Sequence, residues 1–142
     1  MSNIILGRHP CDVNDNIDNP DNPYSLDGIS IYNQASSVAI GATQTIVSYT
    51  VPAGKTFFVR RVEFSGQNVA TYRVQIDSID IALKRTWFNG NLSDDFNFNF
   101  NDEANLSVTE NSTISLVVNN FRPMIADFEG RIQGVLAWLK IQ

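Results

Sequence analysis

The sequence predicts an all-β fold, an antiparallel sandwich, and three observations carry that prediction. The chain is rich in Val, Ile, Thr, Phe and Tyr, residues that suit a pleated, half-buried surface. From residue 36 onward, runs of alternating apolar and polar residues recur every 8 to 12 residues between turn signals. No window carries an i, i+3, i+4, i+7 apolar stripe flanked by helix caps. About eight strands can be traced, a number that fits two packed sheets and a jelly roll.

The first strand is "TQTIVSYTV" (43–51), where Ile46, Ser48 and Thr50 alternate with Thr45, Val47, Tyr49 and Val51. Pro52-Ala53-Gly54-Lys55 forms the next turn, with Pro52 presetting φ and Gly54 able to take positive φ. "TFFVRRVEF" (56–64) follows, and it breaks the alternation. Phe57, Phe58 and Val59 are apolar on both faces before Arg60 and Arg61, whereas a half-wet strand alternates strictly. Either a loop or a second subunit must cover the extra apolar face. The Arg pair marks a β-bulge that switches the inward set from Phe57/Val59 to Val62/Phe64 and turns the arginines toward acids of a neighbour. "TYRVQI" (71–76), "DIALKRTWF" (80–88) and "FNFNF" (96–100) are the next strands. "NLSVTE" (105–110) and "TISLVVN" (113–119) are separated by Asn111-Ser112 and read as a tight hairpin. The last strand, 126–141, places Gly130 and Gly134 on its inward side, where glycine signals a bend, a bulge or close approach of another backbone.

The domain organisation is an acidic N-terminal arm, 1–34, followed by a sandwich domain, 35–142. Residues 1–34 carry Asp12, Asp15, Asp18, Asp21 and Asp27 against Arg8, a net charge of −4 out of the chain's −5. The segment 7–28 has three prolines and neither a helical nor a strand period. A solvated tail fits that composition. An extended arm along a neighbouring subunit fits it too, and apolar anchors such as Ile5, Leu6, Val13, Ile17, Tyr24 and Leu26 favour the arm.

Several chemistries are disfavoured. The body is nearly neutral, so nucleic-acid binding lacks its basic patch. No run approaches the ~20 apolar residues of a membrane span, and the start has too short an apolar run for a signal peptide. The single cysteine, Cys11, excludes an internal disulfide but is a candidate for bonding between subunits. "DVNDNIDNPDN" opens like a calcium loop, with Asp12, Asn14 and Asn16. It then places Ile17 where the turn needs Gly and Pro23 where a bidentate Glu belongs. His9 and Cys11 alone do not make a zinc site or a nucleophile–base pair. The only His and Cys lie in the arm, so the body lacks the usual general bases and no catalytic residue, cofactor or metal is expected. Asn-x-Ser/Thr sequons at Asn91, Asn105 and Asn111 are read only as Asn-rich turns.

"VPAGKTFFVRRVEFSG" (51–66), the "QID" strand end (75–77), "ALKRTWF" (82–88) and "FEGRIQG" (128–134) together resemble small β-sandwich accessory virion proteins of tailed bacteriophages. The resemblance implies a non-enzymatic structural component made and assembled in the host cytoplasm: a capsid decoration or cement protein, or a neck, collar or tail accessory protein. Its partners would be copies of itself and other virion proteins, such as major capsid, portal, neck or tail proteins, with neither nucleic acid nor membrane. The interface candidates are the arm residues Ile5, Leu6, Cys11, Val13, Ile17, Tyr24 and Leu26, the strand residues Phe57, Val59, Arg60 and Arg61, and the aromatic pair Trp87 and Phe88. A carbohydrate-binding module is the alternative, with Trp87-Phe88-Asn89-Gly90 stacking a sugar at a turn.

Overall fold

The computed structural model describes residues 23–66, 69–86, 92–98, 106–121 and 124–140. Among them are nine strands and no helix: β1 (Tyr24–Val38), β2 (Thr43–Thr50), β3 (Thr56–Gly66), β4 (Ala70–Ile76), β5 (Ile79–Thr86), β6 (Leu92–Asn97), β7 (Leu106–Val108), β8 (Thr113–Asn120) and β9 (Ala126–Leu139). One sheet has the order β1-β9-β3-β6, with the short β7 also on β3; the other has the order β2-β8-β4-β5. All pairings are antiparallel. The long strands pair from the outside in, β1 with β9, β2 with β8, β3 with β6 and β4 with β5, alternating between sheets. This is the jelly-roll order.

That winding corrects the hairpin expected at 105–119. β2 and β3 flank a tight turn, as do β7 and β8, yet the members of each pair lie in different sheets. The turns at Gly54 (φ 79°) and Asn111 (φ 66°) therefore carry the chain across the sandwich and do not close hairpins. Among the described residues, only β4 and β5 form a hairpin between consecutive strands, through Asp77 (φ 50°) and Ser78 (φ 70°). Two positive φ values at the turn centre match the twist of the flanking strands.

β1 starts at Tyr24, ahead of the sandwich boundary expected at Ala35. β1 pairs with β9 from Tyr24↔Leu139 onward, so residues 24–34 belong to a sheet. Tyr24, Ala35 and Val38 are buried, and Ile29 and Ile31 pack against the core. Most of β1 is exposed because it is an edge strand with one wet face. β6 starts at Leu92 and ends at Asn97, before the Phe-Asn alternation is complete.

Inward side chains of both sheets fill the core. Phe57, Val59, Val62 and Phe64 of β3 meet Ile46 of β2, Tyr72 and Val74 of β4, and Ile114, Leu116 and Val118 of β8. The rings of Phe64 and Tyr72 stack across the sheets at 3.9 Å between centroids, and Phe128 meets Tyr72 edge-on at 6.0 Å. Asn120, completely buried, donates from Nδ2 to the carbonyls of Val38 (3.1 Å) and Met124 (2.9 Å). It thereby ties the β1–β2 corner to the β8–β9 loop.

Candidate interaction surfaces

Apart from the arginines, the expected interface residues fall into three groups. Ile5, Leu6, Cys11, Val13, Ile17, Trp87 and Phe88 lie outside the described residues. Tyr24 and Leu26 sit in β1, paired along β9, and Tyr24 is only 5% exposed, so both belong to a sheet and not to a separate arm. Phe57 and Val59 are fully buried in the chain's own core, and Phe58 on the opposite side of β3 is 4% exposed. A single chain therefore covers both apolar faces, and these residues are not an interface.

The arginines explain the broken alternation. The β3–β9 ladder pairs Val59 with Gly134 but Arg61 with Gln133, so Arg60 is the extra residue of a bulge. The insertion resets the phase and lets Phe57, Val59, Val62 and Phe64 all face inward. Arg61 lies 3.0 Å from Glu63 and 3.9 Å from Asp95, acids of its own chain and not of a neighbour. Arg60 is exposed, with no ion pair to any described residue.

Strand register then builds a polar row on the outer face of the five-stranded sheet: Tyr32, Arg131, Glu63 and Asp95 lie side by side across β1, β9, β3 and β6. The Arg131 guanidinium lies over the Tyr32 ring at 5.4 Å, donates to Ser30 Oγ at 2.9 Å, and stands 3.8 Å from Glu63. This row floors a depression of about 520 Å³ that Glu129, Ser65 and Ser93 also line. One row along, Ser30, Gln133, Arg61 and Asn97 form the next line, and with Arg60 they line a second depression of about 520 Å³. The Tyr32–Glu63–Arg131 row was absent from the sequence expectations. Each residue looks like an ordinary wet position, and only the register brings them together.

A second surface is the edge of the other sheet. β5 is its outermost strand, and it leaves Ile79 (68%), Leu83 (52%) and Ile81 (42%) in solvent. Alternate apolar residues at 79, 81 and 83 were visible in the sequence. Nothing local shows that the strand ends a sheet. Ile40, Phe121, Met124 and Ile125 form a separate exposed set on the β1–β2 and β8–β9 connections, with Arg85 over the Phe121 ring at 4.5 Å.

Ionisation is perturbed at the β4–β5 hairpin. Asp77 accepts the Thr113 N–H at 2.9 Å, and that bond, with a further one from Ser112, holds its carboxyl below the usual carboxylate range. Bonds from Gln75 and Arg73 do the same for Asp80. Burial pushes the Tyr72 phenol upward. Among the described residues, no group of three or more His, Cys, Asp or Glu side chains is placed to hold a metal ion. Neither a protein-family model, a curated protein nor a solved structure matches the chain.

Proposed function

We propose that this protein is a non-enzymatic structural component of a bacteriophage virion that assembles with copies of itself and with other virion proteins. The observation that carries the assembly reading is β5, an edge strand that leaves Ile79, Ile81 and Leu83 uncovered. Open edges with exposed apolar residues template pairing with another chain. A second copy suits this edge. Antiparallel pairing of two β5 strands sets the Asp80 end of one against the Lys84–Arg85 end of the other, and joins two four-stranded sheets into one of eight. The virion assignment, whether capsid decoration or neck, collar or tail accessory protein, is supported by the sequence resemblance. Sedimentation equilibrium of the full chain tests the assembly. Wild type should associate, and Ile79→Asp with Leu83→Lys should be monomeric with an unchanged β-type circular dichroism spectrum. A wild type that stays monomeric at every concentration removes the reading.

Carbohydrate binding is the second reading, and it gains a different anchor. Tyr32 is 48% exposed beside Glu63, Glu129 and Arg131, the pairing of an aromatic ring with charged hydrogen-bonding groups that a sugar uses. Glycan-array binding that Tyr32→Ala abolishes would favour it.

A further inference from the structure

The bulge in β3 has a chemical consequence. Among the described residues, it brings two successive arginines into one depression, with Ser30, Asn97 and Gln133 as the other polar side chains and no carboxylate in the lining. Arg60 has no ion pair to any described residue. Arg61 spends its terminal nitrogens on Glu63 and Asp95, but its Nε is buried without an acceptor. The exposed Arg60 guanidinium is the donor that an incoming carboxylate meets. The neighbouring depression is the opposite in character, lined by Glu63, Asp94, Asp95 and Glu129 with Arg131. The outer face of this sheet therefore presents one place prepared for an anion.

We propose that the Arg60–Arg61 depression is a carboxylate-binding site that takes the acidic segment 12–21 of a second copy of this chain, an inference that rests on the assembly reading above. Charge complementarity selects this occupant. Asp12, Asp15, Asp18 and Asp21 recur every third residue with no base among them, while the chain beyond residue 34 is nearly neutral. Direction selects a second copy over the same one. The Pro23 carbonyl accepts the Lys140 N–H at 3.0 Å, so the chain already runs along the β1–β9 ladder as it enters. Gly28 and Ser30, which line the depression, lie further along β1. The described chain thus begins five residues before Gly28, beyond the edge of its own depression, and a neighbour's depression is the one proposed.

The test is fluorescence anisotropy of a labelled peptide of residues 7–22, with Cys11→Ser, titrated with the full-length chain. Binding should weaken at least tenfold with Arg60→Glu, and recover with Arg60→Lys. It should also weaken at least tenfold when the four aspartates of the peptide become Asn, and fall steeply with salt. Arg60 is exposed, and an unchanged melt will show that the variants fold. A peptide that fails to bind, or that binds Arg60→Glu as tightly as wild type, overturns the proposal. Sedimentation of the same samples separates the two ideas. Association without peptide binding removes this site and leaves the assembly reading, whereas a wild type that is monomeric throughout removes the assembly reading itself.

Discussion

Gly134 stands opposite Val59, where the backbone of β9 runs against the β3 bulge. A Cβ there would press on the Phe58 carbonyl and stand 2.8 Å from the Phe57 ring, both immobilised in the sandwich. Gly134→Ala is expected to destabilise by about 1–3 kcal/mol, as overpacking does, read as a lower melting temperature. A neutral substitution would mean that β9 can move away from β3. The close approach was legible, because a strand gives up side-chain packing at a glycine, and it does so twice on an inward face where a neighbour needs the space. Asn120 was not legible: in "VVNNFRP" it looks like the start of a loop, and only the meeting of two distant connections makes it a buried tie. Asn120→Ala leaves two carbonyls without that donor and should cost about 2–3 kcal/mol, while Asn119→Ala, half-buried beside it, should cost less.

The β4–β5 hairpin gives the fold an acid-sensitive element. The carboxyls of Asp77 and Asp80 titrate lower in the folded chain than in the unfolded one. Their contribution is therefore present above the unfolded value, about 4, and disappears as pH falls through the lower folded value. Denaturant midpoints measured from pH 7 to pH 2 should fall in the wild type and fall less in Asp77→Asn with Asp80→Asn. Equal slopes would show that other carboxylates set the acid limit. At the same scale, eight strands could be read from alternation and turn residues, and β1 could not. Its sequence, "YSLDGISIYNQASSV", mixes Asp, Gly and Asn into a strand that is wet on one face and open at one edge. Strand pairing was equally hidden, since in a jelly roll the sequence neighbours across a tight turn lie in opposite sheets.

At the scale of the whole molecule, the boundary of the folded unit decides what can be removed. A chain starting at Pro23 keeps every described strand and should melt cooperatively. One starting at Ala35 loses the burial of Tyr24 and the packing of Ile29 and Ile31, on the order of 3–5 kcal/mol, and uncovers the edge of β9. Equal melting temperatures for the two would mean that β1 adds nothing to the sandwich. The surfaces proposed for assembly were the least legible part of the molecule. A sequence shows that a residue is apolar or charged but not that its strand ends a sheet, so the exposure of Ile79, Ile81 and Leu83 was hidden, and Phe57 and Val59, which are core, were expected at an interface. The central claim is that such surfaces join the protein to a virion. Quantitative mass spectrometry of gradient-purified particles, made from the genome that encodes this chain, tests it most directly. The protein should be present in many copies per particle, in a fixed ratio to the major capsid protein, and should be depleted by Ile79→Asp with Leu83→Lys. Its absence from purified particles, with the folded protein remaining in the particle-free fraction, would contradict the claim.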